Sequence, residues 1–418
     1  MAVDYKDTLN LLKTDFPMRG NLPETEPEVI RFWTQNQIYS KMVEKNRGTK
    51  TFVMPDGPPY ANGSIHIGHV LNKVLKDIVI KYKNLSGYEA HFIPGWDCHG
   101  LPIEHKVTKD LGAKRKDKSE KDIRDLCRKE ANKWVAVQKE QFIRLGVLAS
   151  WDKPYLTIDP IYEAEEVREL ARVLENGILY RGEKPVYWCW ALQTALAEAE
   201  VEYAQHRSPS IYVKFDSLSE KNTAFVIWTT TPWTLPANLA IAVNPDFEYG
   251  LFESSQGNLI LATGLQESFE KATGLKLNKL KTYKGQELEG HKTRHPFIER
   301  ESPVILGQHV SLDAGTGCVH TARGHGQEDY QVGLQYGLKV YSPVDGFGNY
   351  TADVPEYVGQ HVYDCNPKIV ERLKQSGHLL HHSEIEHSFP HCWRSKTPLI
   401  FRATPQWFLR VDDEKYNV

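Results

Sequence analysis

With 418 residues, 40% hydrophobic and 25% charged, the chain is too long for one ordinary core and too apolar for a disordered polymer, so two or three folded domains are expected. A formal net charge of −3 excludes a global basic field for nucleic acid, while a local basic surface stays compatible with it. The scattered Cys98, Cys127, Cys189, Cys318, Cys365 and Cys392 form no Cys-x-x-Cys pair, so neither a disulfide framework nor a complete zinc knuckle is indicated, and reduced cytosolic thiols fit best.

The start of the chain, with Asp4, Lys6 and Asp7, lacks the apolar core of a signal peptide, and no run of 18 apolar residues suggests a membrane span. Residues 1–50 read as an N-terminal extension with one amphipathic helix around 26–43. A βαβ unit follows. An apolar strand at 51–54 runs through a Pro/Gly turn into a helix over 68–85. The apolar stripe of that helix is Val70, Leu71, Val74, Leu75, Ile78 and Tyr82, and Gly87 supplies the stop. Residues 90–93 predict the next parallel strand, ending in Pro94-Gly95-Trp96-Asp97. Ligands in open α/β sheets sit at the carboxyl ends of strands, so the turns at His66 and at Asp97 should face one crevice.

Helices are expected over 119–145 and 160–175, closed by Gly146 and by Asn176-Gly177. The basic Lys114-Arg115-Lys116 run before the first of them reads as a solvated surface. From about Ser208 short β-type runs take over, at 211–215, 224–229, 239–243 and 258–262, separated by turn signals. This texture lasts to Ser388, and a new composition opens at Phe389-Pro390-His391-Cys392-Trp393. The expected domains are therefore 1–50 as extension, 51–195 as the first half of an α/β nucleotide fold, 196–388 as a β-rich insertion and 389–418 as the return into the first fold.

The most telling string is Pro58-Pro59-Tyr60-Ala61-Asn62-Gly63-Ser64-Ile65-His66-Ile67-Gly68-His69. It delivers two histidines to a helix start, where unpaired backbone N–H groups suit phosphate and imidazoles can donate to developing charge. Taken alone, the two histidines also read as a surface capping pair. With a strand before and a helix after, His66–His69 resembles the HIGH signature of class I aminoacyl-tRNA synthetases. Asp56–Gly63 fits their Ile/Val/Leu branch. Gly95-Trp96-Asp97-Cys98-His99-Gly100-Leu101-Pro102-Ile103-Glu104 resembles the isoleucyl enzymes, and Asp15-Phe16-Pro17-Met18-Arg19-Gly20 those of bacterial type. The resemblance covers essentially the whole chain and implies a Rossmann-like class I fold interrupted by an editing domain.

It also implies activation of isoleucine by ATP with Mg²⁺ and transfer to tRNA(Ile), by a monomer with no membrane partner. His66 and His69 would stabilise the reacting phosphates, and Gly68 would keep the helix start open for the nucleotide. Asp97 would pair with the substrate ammonium, a charge-assisted bond. Its bland alternative is an N-cap for the following helix. Gly57, Pro58 and Tyr60 would line the amino-acid cleft, with Trp96 near it.

One methylene is worth only about 1–3 kcal/mol in a pocket, and isoleucyl enzymes are themselves the standard example of that limit and of its hydrolytic remedy. Candidates for such a second site lie in Trp228-Thr229-Thr230-Thr231-Pro232-Trp233-Thr234-Leu235-Pro236-Ala237-Asn238, in Gly315–Ala322 and in Gly324–Tyr330. Both later stretches resemble editing motifs. By position, Asp329 would bind the ammonium of the misacylated residue and His320 would exclude isoleucine by size. Thr229, Thr230 and Thr234 would position ester and water, with Thr231 and Asn238 in the same site. A plain strand with solvent-facing threonines is the bland reading, against which Pro232 and Pro236 argue.

Three departures stand out. Arg323 replaces the family's usual proline, which is expected to loosen the loop carrying Asp329 or to set a cation near RNA. The two metal knuckles of some relatives are reduced to Cys189-Trp190-Ala191-Leu192 and Cys392-Trp393-Arg394-Ser395, so no zinc is expected. No Lys-Met-Ser-Lys-Ser string occurs. The chain is therefore expected to be part of a larger protein, with a free-standing editing hydrolase and a non-catalytic tRNA-binding fragment as alternatives.

Overall fold

Gly177 takes the left-handed φ of +75°, which stops a helix ending at Glu175 and marks the division between two units, Met1–Asn176 and Gly177–Val418. The computed structural model describes residues 5–10, 14–15 and 19–411. Asp4 and the Phe16-Pro17-Met18 part of the N-terminal string lie outside the described residues.

The first unit contains α1 (Leu22–Gln35), α2 (Ile38–Lys45), α3 (Ile67–Leu85), β1 (Gly95–Trp96), α4 (Leu101–Leu111), α5 (Glu120–Arg144), β2 (Tyr155–Leu156) and α6 (Pro160–Glu175). The single helix expected over 26–43 is two. The Asn36 amide donates to the Phe32 carbonyl (2.9 Å) and Gln37 adopts φ +50°, so the chain breaks there.

The strands expected at 51–54 and 90–93 form only a parallel bridge between Thr51 and Glu89. Side chains take the places a ladder would use. The Tyr39 hydroxyl accepts from Phe92 N–H (2.9 Å) and donates to its carbonyl (3.2 Å), while Asp56 accepts from Gly95 N–H (3.0 Å). Parallel pairing resumes at β1–β2, with Gly95 opposite Tyr155 and Trp96 opposite Leu156.

Helix α3 forms where its periodicity predicts, but its apolar stripe does not face the core. Leu71, Ile78 and Tyr82 are 62%, 56% and 64% exposed, whereas Lys73, Asp77, Ile80 and Asn84 are buried. The polar members of that buried face are each satisfied. Lys73 pairs with Asp56, Asp77 accepts from Leu148 N–H (2.8 Å), and the Asn84 amide donates to the Ile80 and Ala90 carbonyls.

The second unit contains β3 (Leu179–Cys189), β4 (Thr194–Ala195), β5 (Val201–Ser217), β6 (Thr223–Thr229), β7 (Ala240–Val243), β8 (Glu248–Ser254), β9 (Gly257–Ala262), α7 (Gln266–Thr273), β10 (Asn278–Lys284), β11 (Lys292–Arg294), β12 (Glu301–Leu306), β13 (Cys318–Thr321), α8 (Gln327–Gln335), α9 (Val362–Gln375), β14 (Leu379–Cys392) and β15 (Ile400–Leu409). A ten-stranded sheet runs in the order β10-β8-β9-β6-β5-β11-β12-β7-β13, with β14 also on β5, and β15-β3-β4 form a smaller sheet.

Alternation splits the large sheet between two cores. Ile211, Val213, Phe225 and Ile227 face α9 through Ile369 and Leu373, while Tyr212, Val226, Leu259 and Leu261 face α7 through Phe269. Burial on both faces explains why β6 reads as a continuous apolar run. The chain is thus α/β, with a large multi-stranded sheet. No helix among the described residues is long and apolar enough to cross a membrane.

Candidate functional sites

In the first unit, His66 is the N-cap of α3 and its Nδ1 accepts from Gly68 N–H (3.1 Å). His69 returns the bond, its Nδ1 accepting from His66 N–H (3.3 Å), and the two rings stack at 3.9 Å. The pair is therefore a reciprocal cap, as the bland reading had it. That same arrangement fixes a tautomer. In a neutral ring whose Nδ1 accepts, the proton sits on Nε2, leaving two Nε2–H donors beside a helix N-terminus. Burial, the His66 ring and the Lys73 ammonium together lower the His69 pKa, which keeps that ring neutral. A Cβ at Gly68 would lie 2.9 Å from His66 Cε1, so glycine there first makes room for the capping histidine.

Two backbone bonds bring the Tyr60 and Asp97 turns together: Asp97 N–H to Pro59 O and Ala61 N–H to Asp97 O, both 2.9 Å. Tyr60 is exposed, Pro58 partly buried, and the space beside Gly57 open, its Cβ position reaching only Lys76 Nζ at 4.0 Å. Asp97 does not cap α4, whose N-cap is Gly100 without a side-chain bond; its Oδ1 accepts instead from His99 N–H (3.3 Å). Trp96 is fully buried and donates from Nε1 to Gln138 (3.0 Å), which places it in the core behind the turn.

Sequence reasoning missed the groups that hold this turn. Gln138, also fully buried, donates to the Tyr60 and Gly63 carbonyls (3.0 and 2.7 Å), and Gln141 accepts from Ile65 N–H (2.9 Å). The buried Asp56 carboxylate pairs with Lys73 and with Lys76 (2.8 Å). Nothing in a helical glutamine marks such a role. The Asp56–Lys73 pair shows in the sequence only as a lysine on the face opposite an apolar stripe.

In the second unit, β6 ends at Thr229 and runs into a 3-10 turn, Pro232–Ala237. Its hydroxyls form a chain: Thr229 Oγ1 to Thr231 Oγ1 (3.3 Å), Thr231 to Thr234 (3.4 Å), and Thr234 to His320 Nε2 (2.8 Å). Strand β13 sets His320 opposite Ile241 of β7. A cleft of about 370 Å³ is lined by Thr229, Thr230, Thr231, Thr234, His320 and Asp329, and also by Trp228, His309, His325 and Glu328. Asn238 stands behind it, fully buried.

The hydrogen bonds settle the His320 proton. Asn238 accepts from Ser302 Oγ at its Oδ1, so its Nδ2 is the donor, to Ala240 O (2.9 Å) and to His320 Nδ1 (3.3 Å). His320 Nε2 then carries hydrogen and donates to Thr234, whose hydroxyl donates to Thr231 O (2.8 Å). Burial and the nearby His325 push the His320 pKa down to about 4, in keeping with a neutral ring. Both nitrogens are engaged, so His320 is a fixed wall and has no free lone pair to act as a base.

Asp329 lies in the first turn of α8, and its Oδ2 accepts from Ala322 N–H (2.9 Å). A Cβ at Gly326 would lie 2.9 Å from that carboxyl group. Burial pushes the Asp329 carboxyl up to about 6, against the lowering effect of the Ala322 bond.

Arg323 does not face outward. It is buried, its guanidinium lies 5.0 Å from the Tyr330 ring, and a Cβ at Gly333 would meet its Cδ at 2.7 Å. Its stem packs onto α8, and Gly333 supplies the room. Among the described residues no group of three or more His, Cys, Asp or Glu side chains is placed to hold a metal ion.

The family model of tRNA synthetases class I (I, L, M and V) matches residues 28–417. Isoleucine–tRNA ligases from Kosmotoga olearia, Persephonella marina and Carboxydothermus hydrogenoformans are 55%, 52% and 53% identical over 98% of this chain. The chain spans about half the length of these relatives, 45%, 44% and 45% respectively. The chain belongs to the class I tRNA synthetase family.

Proposed function

We propose that the chain carries two working parts of an isoleucine–tRNA ligase: the ATP-binding turn for isoleucine activation, and a hydrolytic site that edits valyl-tRNA(Ile). The observation that carries the editing reading is the convergence of Thr229–Thr234, His320 and Asp329 on one cleft, from segments about ninety residues apart. At the turn, the His66 and His69 Nε2–H donors and the α3 N-terminus would bind ATP phosphates. Asp97, joined to Tyr60 by paired backbone, would take the isoleucine ammonium. A magnesium ion that came with ATP would supply charge neutralisation on the phosphates.

At the editing cleft, the Asp329 carboxylate would take the valyl ammonium, a partner that restores its ionised form. The threonine hydroxyls would hold the ester and a water that attacks its carbonyl, releasing valine and free tRNA. His320, held at both nitrogens, would set the length of the pocket. The tautomer argument supports a steric role for it. A free-standing hydrolase would leave the reciprocally capped histidine turn without a role.

The test is titration of the chain with a valyl-adenosine in which an amide replaces the hydrolysable ester. Binding above pH 6 that weakens at least tenfold in Asp329→Ala is expected. Equal binding by the two proteins would reject the ammonium assignment.

A further inference from the structure

Cys189 closes β3 and Cys392 closes β14, 203 positions later in the chain, and both are fully buried in one cluster with Leu196 and Leu399. A tight hairpin makes them neighbours. Cys392 N–H donates to Thr397 O (2.9 Å) and Lys396 N–H to Cys392 O (2.8 Å), which lays Ser395 and Thr397 against Cys189. Cys189 Sγ is 3.3 Å from Ser395 Oγ and 3.9 Å from Thr397 Oγ1. Cys392 lies in the same buried cluster, at the base of the hairpin whose Ser395 meets Cys189. Burial raises the Cys189 thiol; at Cys392 burial acts the same way but is outweighed by hydrogen bonds from Ser395 and nearby amides, which lower that thiol, so Cys392 is the nucleophile of the pair and Cys189 the resolving thiol. Two sulfurs and two hydroxyls fall short of the four N or S ligands of a structural zinc site.

We propose that Cys189 and Cys392 form a peroxide-sensitive dithiol that closes reversibly to a disulfide, tying the end of β3 to the end of β14. The Cys392 thiolate attacks one oxygen of hydrogen peroxide and the O–O bond breaks. The departing hydroxide takes a proton and leaves as water, and the sulfur becomes a sulfenic acid. The Cys189 sulfur then attacks that sulfur, the S–O bond breaks, and the thiol proton leaves with the oxygen as a second water. Two thiols are oxidised by two electrons and peroxide is reduced to two waters. Peroxide is close to water in size, which suits a buried pair better than a bulky disulfide would. A dithiol reductant reverses the step by exchange.

The test treats the 418-residue chain with about equimolar hydrogen peroxide, then alkylates it after unfolding and digests it. The expected result is four alkylated cysteines in place of six, a peptide cross-linked through Cys189 and Cys392, and full recovery of six after dithiothreitol. In Cys189→Ser the resolving sulfur is gone, so Cys392 should be trapped as a sulfenic acid by dimedone. Overturning results are six alkylated cysteines in a folded, peroxide-treated chain, separate sulfinic acids at the two positions, or a metal ion found on the pair by native mass spectrometry.

Discussion

Asn238→Asp is a small change that should move a proton on a different residue. The Asn238 amide nitrogen donates to Ala240 O and to His320 Nδ1, and its oxygen accepts from Ser302. Aspartate keeps the acceptor and removes the donor. A lone pair then faces the Nδ1 lone pair, which a neutral His320 relieves only by moving its proton to Nδ1. Its Nε2 becomes an acceptor, and Thr234 must leave the Thr231 carbonyl (2.8 Å) to donate to it. The Ala240 and Thr231 carbonyls both lose a buried partner. At about 1–3 kcal/mol for each unsatisfied group, partly offset by the new bonds, the expected loss is ~2–4 kcal/mol. Urea unfolding measures it, and ¹⁵N shifts of the His320 ring report the tautomer. An unchanged Nε2–H tautomer in Asn238→Asp, or a loss below about 0.5 kcal/mol, would refute the proton assignment and with it the fixed-wall argument.

Other outcomes follow from the same contacts. Burial depresses His320 and His325 to about 4 and His295 to about 3. The unfolded chain, with histidines near 6.5, therefore binds more protons between those values. The stability of the second unit should be complete above about pH 6.5 and fall as the pH drops toward 4. Thermal unfolding across that range checks it, and His295→Phe should flatten the slope. Asp329 has the opposite sign: raised to about 6, it favours the folded state as pH falls through 6, yet ammonium binding there should vanish over the same range. Gly333→Ala should cost about 1–3 kcal/mol by overpacking against Arg323, and nearly nothing in an Arg323→Ala background. A double-mutant cycle without coupling would contradict the packing. Lys73→Met should destabilise the first unit by about 3–5 kcal/mol, because it leaves the Asp56 carboxylate buried with only a part-exposed Lys76. Restoration by Asp56→Asn in the same chain is the check.

What the sequence made legible follows from where information is local. The His66 turn could be read because capping, glycine and helical period all act within a few residues. The threonine run and the Asp329 loop could be read by resemblance, and one cleft gathers both. The buried face of α3 was hidden, because Lys73, Asp77 and Asn84 look like surface residues until their partners on other segments are known. Strand β5 was read short and β14 was not read as a strand, for a related reason. Their paired register, His206 with His387 and Pro209 with Glu384, is half exposed and carries little apolar alternation. The burial of Arg323 was not legible because the space that admits its stem is the missing side chain of Gly333, ten positions away.

The most direct test of the editing proposal is deacylation of valyl-tRNA(Ile) by the purified chain, with isoleucyl-tRNA(Ile) as the control and Asp329→Ala as the blank. Preferential release of valine, reduced at least tenfold by Asp329→Ala, is the predicted result. Equal rates on the two esters, or a rate indifferent to Asp329, would contradict an editing role for the cleft.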